Sequence, residues 1–256
     1  MRGTPSVPAS MRSEALEAAV APSGRHWQYG LQLAIALILL EGALWSSGFA
    51  QVFCFWSTVA WIVFTTRMPA RSGADLGLCL KGIRGMSWLL CLSLGCAAAA
   101  IWLAWQRGEL HPAFGPATRP WHYLAYAGWA LLQQFMLQSY FFLRLERMLS
   151  SSWRAVVACA FLFSFVHLPN SFLALTTLAG GLFFCELFRR YRNIYPLGLA
   201  HAALGICIAV TVSSDLHHHM RVGRGFYDDP SSNGNLSSFF YSGAKHDLHT
   251  TDQALR

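Results

Sequence analysis

Five side chains in this 256-residue sequence can do chemistry and stand where lipid would favour leucine. They are Gln133, Gln134 and Gln138 in WALLQQFMLQSYFFLRL, His167 in FLFSFVHLPN and His201 in YPLGLAHAALG. Imidazole exchanges a proton near neutrality and is the commonest acid–base side chain. A carboxamide offers two donors and an acceptor without charge. In an apolar run such groups turn toward a bundle interior or a wet cavity, because hydrocarbon leaves them unsatisfied. A single glutamine is ordinarily glue between helices, worth about 0.6–2 kcal/mol, and a single histidine a satisfied core residue. Three glutamines within about 140° of one helix turn, with two histidines on other runs, point instead to one convergent polar site.

The elements that must position these residues are membrane helices. Hydrophobic residues make up 54% of the chain and charged ones 12%, with mean hydropathy +0.37. This departs from soluble composition. About 20 mostly apolar residues span a bilayer, and the sequence predicts about seven such spans. They cover about residues 27–47, 49–66, 86–105, a fourth from 121 that holds the glutamines, 153–168 closed by Pro169, 171–188 and 194–212. Gly180 and Gly181 offer a close-packing surface on the sixth. The expected fold class is all-α, a polytopic helical membrane bundle. Residues 1–26 form a disordered tail, with Glu14 and Glu17 interrupting any signal-peptide core. Residues 27–212 form the transmembrane domain, and residues 213–256 a polar C-terminal tail with little to bury.

Positive charge sets the expected orientation. Arg67, Arg71, Lys81 and Arg84 lie in one connection, Arg144, Arg147 and Arg154 around the next of the same parity, and Arg189, Arg190 and Arg192 in a third. The alternate connections hold only Arg107 and Arg119. The positive-inside rule then puts the N-terminus in the cytoplasm and the C-terminus outside. At about 1.5 Å per residue, Gln134 lies roughly 15 Å from Arg144, His201 roughly 14 Å from Arg192 and His167 roughly 20 Å from Arg154. All three fall near mid-membrane. The formal charge of +7 is accordingly a topology signal with some affinity for anionic headgroups, and does not point to nucleic acid.

Other polar residues read more plainly. The seven cysteines, Cys54, Cys79, Cys91, Cys96, Cys159, Cys185 and Cys207, form no CxxC pair and read as buried free thiols. Glu186 has Arg190 four residues on, the spacing of a helix-surface ion pair. Glu41 has no motif around it. His217, His218 and His219 are adjacent, so they point in different directions and read as an exposed tail with incidental metal affinity.

The order QQFMLQ, then Phe163 and His167 as FxxxH, then His201 after a proline-containing segment, resembles the CPBP family of intramembrane proteases. That family includes type II CAAX prenyl endopeptidases and bacterial Abi-like proteins, and its motifs are EExxxR, FxxxH and HxxxN or HxxxD. The likeness covers about residues 121–210. It implies an intramembrane endopeptidase in a plasma membrane, such as a bacterial inner membrane, acting on a membrane-anchored or lipidated peptide. It also implies a glutamate acting as base on water, with the histidines and asparagine around the oxyanion or, in another reading, holding zinc. Here Gln133, Gln134 and Gln138 replace the two glutamates and the arginine, and Gly205 replaces the final Asn or Asp. Glutamine keeps the shape of glutamate but cannot take its proton. With amides at these positions two histidines supply too few ligands for zinc, so no cofactor is expected. Both an endopeptidase with a histidine-dependent mechanism and an inactive, protease-derived binder of a peptide or lipid tail remain consistent with these residues.

Overall fold

The computed structural model describes residues 26–67, 73–80, 83–111 and 120–227. The predicted N-terminal tail up to residue 25, and the tail beyond residue 227, lie outside the described residues. Among them the secondary structure is helical, with no strand. Helix α1 is His26–Trp45, α2 is Gly48–Arg67 and α3 is Ser87–Arg107, entered through a tight turn at Ile83–Met86. Helix α4, Pro120–Gln134, runs on through a π-helical segment, Phe135–Phe142, into the short α5, Leu143–Met148. Then come α6 at Ser152–Phe165, α7 at Ser171–Tyr191, α8 at Ile194–Thr211 and a four-residue α9 at Ser214–His217.

Five of these helices are long and apolar enough to cross a membrane. Their outward residues suit lipid, with Trp27, Ile38, Phe49, Trp56, Leu92 and Trp102 all exposed. The protein is a helical integral membrane bundle. The two remaining predicted spans are helical but irregular. The fourth is interrupted by the π segment, and the fifth has only 14 residues, about 21 Å at 1.5 Å per residue, short of a hydrocarbon core of about 30 Å.

Local chemistry explains where the inner helices begin. Asn170 caps α7, its Oδ1 accepting from Leu173 N at 3.1 Å, and Asn193 caps α8, its Oδ1 accepting from Tyr195 N at 3.0 Å. Pro196 follows in the first turn of α8, where no intrahelical N–H is lost. The small-residue surface expected on α7 is half used. A Cβ on Gly181 would sit 3.0 Å from Ala160 Cα, so α6 and α7 touch there, whereas Gly180 meets nothing nearer than Phe184 at 3.8 Å.

Two expectations need correction. Residues 213–227 are not a free tail. His217 is buried, the Asn170 amide donates to the backbone oxygens of His217 and Arg221 at 2.8 and 3.0 Å, and Gly223 N donates to Leu168 O at 2.9 Å. The polar composition hid this docking because backbone groups make it, and a sequence does not display those. Arg144, in turn, does not mark a membrane boundary. It is fully buried, with its ring-facing guanidinium 3.6 Å from the Tyr140 centroid, Nε donating to Gln32 Oε1 at 2.9 Å and Nη2 to Thr65 O at 3.1 Å. Gln32 lies six residues inside α1, so Arg144 sits about 9 Å in from that helix end. Depths counted from it are therefore too small.

The cysteines are all free, as expected, and Cys159, Cys185 and Cys207 are buried, but Cys91 and Cys96 face outward on α3. Glu186 is the helix-surface ion pair expected, doubled: Arg189 and Arg190 each approach its carboxylate at 2.7 Å. Glu41 accepts from Trp45 Nε1 at 2.9 Å within α1.

Candidate intramembrane site

A cavity of about 840 Å³ opens inside the bundle. Its walls come from α1, α2, α4, α6, α7 and α8, and His219–Val222 with Gly225 of the docked C-terminal segment complete them. That size suits a drug-sized or lipid-sized ligand, and the walls are mostly apolar with a few polar groups. Its polar groups include several that the sequence singled out. His167, His201, Gln133 and Gly205 all line it, as does Phe163.

His167 lies past the end of α6, on the turn leading to Asn170, rather than within a helical span. Irregular backbone at membrane depth is tolerated where it lines a cavity. The FxxxH spacing acquires a physical meaning there. His167 Nδ1 stands 2.6 Å from Phe163 O, one of the carbonyls left over at the helix end. A carbonyl only accepts, so Nδ1 carries the proton and Nε2 of the neutral ring keeps its lone pair. Nε2 has no hydrogen-bond partner among the described residues. The Phe163 ring packs edge-on against both histidines, with centroids 4.8 Å from His167 and 6.1 Å from His201.

His201 is set the opposite way. Its Nδ1 is 2.8 Å from Gln134 Nε2, and the Gln134 oxygen is already occupied by Gln138 Nε2 at 2.6 Å. The Gln134 amide nitrogen therefore donates to His201 Nδ1, and the ring proton resides on Nε2. One histidine thus offers a lone pair and the other a proton, as a general base and a hydrogen-bond donor would.

The three glutamines divide. Gln133 faces the cavity, Gln134 touches His201 from behind the wall and Gln138 stands behind Gln134, both of the last two fully buried. The even 100° projection fails after Gln134 because the π segment adds residues to the turn. Such segments occur disproportionately at functional sites. Gln138 Oε1 is buried with no hydrogen-bond partner among the described residues, so the relay ends there in an unmet acceptor.

Several residues at or behind the cavity carried no sequence flag. Asn170 had one available, since Asn before an apolar run is a helix-start signal. Arg144 reads as a boundary charge, although the FFL that precedes it is an apolar context consistent with its burial. Tyr126 and His122, which line the cavity from α4, lie outside every motif. Only packing brings them in.

His167, His201 and the linked amides Gln134 and Gln138 thus meet at one intramembrane cavity. The family model described as type II CAAX prenyl endopeptidase Rce1-like matches residues 117–207, the stretch from the start of α4 into α8 that carries every motif position, and over that stretch the chain is similar to the CPBP family. No curated protein matches the chain, and no solved structure does.

Proposed function

We propose that this protein is a CPBP-type intramembrane endopeptidase in which His167 takes the proton that a glutamate would take, acting on a membrane-anchored or lipidated peptide. The observation that carries the reading is the opposed protonation of the two histidines at one cavity: a lone pair on His167 Nε2 and a proton on His201 Nε2. Water bound at His167 Nε2 would give up its proton there while its oxygen adds to the peptide carbonyl carbon. As the C–N bond breaks, the same proton passes to the leaving amine. His201 donates a hydrogen bond throughout and keeps its proton. The apolar walls receive the lipid or side-chain portion of the substrate.

No step is routed through a metal. Both Nδ1 atoms are engaged, the neighbouring groups are amides, and among the described residues no group of three His, Cys, Asp or Glu converges. That donor set does not fit catalytic zinc, which takes three such ligands. The arginine distribution supports a cytoplasmic N-terminus and an outside C-terminus. A reporter fused after Arg256 should then read the exoplasmic side, and a cytoplasmic reading would overturn the orientation.

A second reading has its own support. Gln134 and Gln138 satisfy each other and His201 without any charge, which also suits a protease-derived protein that holds a peptide or lipid tail uncut. Cleavage of a membrane-anchored reporter peptide separates the two. The endopeptidase reading requires parental cleavage that resists chelators and is abolished by His167→Ala. Retention of the intact peptide by the parent, with no cleavage, would establish the binding reading.

A further inference from the structure

Among the described residues the two ends of the bundle differ. The ends of α1, α3, α6 and α8 gather where the docked segment lies. His111 N, just past α3, donates to Val210 O of α8 at 2.9 Å, Gly223 N to Leu168 O at 2.9 Å, and the Tyr227 ring stands 6.4 Å from that of Trp45. The cavity belongs to this end. Helix α1 lines it from Leu37 onward, α2 up to Trp56, α6 from Leu162, α7 up to Phe184 and α8 from His201, which are in each case the halves nearer the docked segment. Met136, Leu137 and Phe141 of the π segment make its floor. Below the floor the bundle is packed: Met86, Leu89, Tyr140, Phe142, Phe188 and Leu197 are fully buried in one cluster, with Arg144 held against Gln32 and Thr65.

Charge is divided the opposite way. Arg84, Arg147, Arg154, Arg189, Arg190 and Arg192 stand at the packed end, against Arg107, Arg221 and Arg224 at the hollow one. The positive-inside rule makes the packed end cytoplasmic. The hollow end reaches the surface, since His219 of the docked segment both lines the cavity and is exposed. Trp56 and Phe183 line it and are exposed as well, so the cavity adjoins lipid.

We propose that the cavity is entered from the exoplasmic face, and that its ligand is a membrane-anchored peptide whose segment beside the anchor lies outside the cytoplasm. The inference rests on the peptide reading and the orientation given above, and deepens them by naming the side of the membrane that supplies the substrate. A peptide presented from the cytoplasmic leaflet meets the packed end. To reach His167 it would have to carry its backbone past that core or through the bilayer, where hydrocarbon leaves peptide groups without partners. An exoplasmic segment has a direct path. His167 lies on the α6–α7 turn at the hollow end, and His201 is roughly 15 Å in from the last residue of α8. About five residues of extended chain cover that distance.

The test uses the full-length protein in sealed membrane vesicles of both orientations, with a sulfonate-bearing thiol reagent that does not cross lipid. Thr177→Cys and Ile208→Cys put a thiol on the cavity wall from α7 and α8, two helices, so that one misfolded variant does not decide. Ser150→Cys puts one in the turn between α5 and α6 at the packed end. Peptide mapping separates each new thiol from the seven native ones. The cavity thiols should react on the order of tenfold faster in right-side-out than in inverted vesicles, and the Ser150→Cys thiol the reverse. Cavity thiols that react from the same side as Ser150→Cys, or from neither side, overturn the proposal. So does a Ser150→Cys thiol that reacts from outside, because the orientation is then reversed. Two single-span reporter peptides test the ligand. They share one segment, placed beside the anchor outside the cytoplasm in the first and inside it in the second. The protein should cleave, or hold uncut, the first alone. Handling of the second, alone or equally well, overturns this proposal and leaves the peptide reading standing. Handling of neither overturns the peptide reading and this ligand with it, while the vesicle labelling still decides where the cavity opens.

Discussion

Gln134 donates from its side-chain amide to Nδ1 of His201 at 2.8 Å while accepting from Gln138 at 2.6 Å. The direction of that donation fixes which His201 nitrogen faces the cavity with a proton. A carboxylate in place of the Gln134 amide could only accept. The substitution that separates this chain from the family motif it resembles therefore reverses a hydrogen bond as well as removing a base.

The first prediction follows from that reversal. Gln134→Glu should, with its carboxyl ionised, shift the His201 proton from Nε2 to Nδ1, since a carboxylate beside Nδ1 only accepts and favours N–H there. Nitrogen NMR of 15N-histidine-labelled protein separates the two tautomers by their ring shifts. His167 should keep its Nδ1 proton in both proteins, because its partner is the Phe163 backbone. An unchanged His201 spectrum at a pH where the introduced carboxyl is ionised, its state read from its own carbon shift, would mean that the amide orientation assigned to Gln134 is wrong.

The helices, the membrane and some of the polar residues of the cavity were legible in the sequence because each leaves a compositional trace: long apolar runs, or a polar residue inside one. His167, His201 and Gln133 line one cavity. What stayed hidden depended on contacts across the chain. Arg144 reads as a boundary charge until Gln32 and Thr65, from two other helices, are brought against it. The π segment leaves no period of its own in eight residues, so Gln138 moves behind the wall without notice. Residues 213–227 look like a tail because their anchoring uses backbone oxygens and one asparagine 47 residues away from His217.

That asparagine carries the second prediction. Asn170 is fully buried, caps α7 and holds two backbone oxygens of the C-terminal segment. Asn170→Ala leaves those carbonyls and the Leu173 N–H short of a partner, at about 1–3 kcal/mol for each buried group stranded. The thermal midpoint should drop, and the Gly223 amide, which bonds Leu168 O, should lose protection from hydrogen exchange before the amides of α8 do. Equal loss in both places would make Asn170 a global stabiliser rather than the anchor of this segment.

A third prediction concerns pH. Burial holds the His217 imidazole below its usual range, and His219 and His111 push the same way. The Met220 N–H points at His217 Nδ1 from 3.2 Å, and Nε2 lies 3.1 Å from Val212 O, so protonating Nδ1 would set a donor against a donor. The undocked chain takes that proton near pH 6.5 and the docked one resists it, so the undocked state binds more protons below that pH. Docking is then complete above about pH 6.5 and weakens as pH falls through that value toward the lowered one. Exchange at the Gly223 amide, corrected for its intrinsic rate, should speed up between pH 7.5 and 5.5. His217→Asn should flatten the dependence. If it does not, another group controls the segment.

The last prediction tests whether the glutamines occupy a site built for charge. Gln134 and Gln138 are one helical turn apart, both fully buried and bonded to each other. Gln134→Glu alone places an anion in a dry interior, so it should cost about 3–5 kcal/mol or hold its proton. Gln138→Arg alone buries a cation at similar cost. Together they restore opposite charges along an existing hydrogen bond, and Gln138 Oε1, the acceptor without a partner, is gone. The double variant should therefore be more stable than the sum of the two single effects requires, by about 0.5–3 kcal/mol of coupling. Gln133→Glu should behave differently, because that side chain faces the cavity and its charge can be hydrated there. It should cost less than Gln134→Glu and couple weakly to Gln138→Arg. Thermal unfolding in detergent gives all of these differences within one series. Additive effects of the Gln134 and Gln138 substitutions would mean that the pair is ordinary packing, and that the amide relay behind His201 owes nothing to an ancestral ion pair.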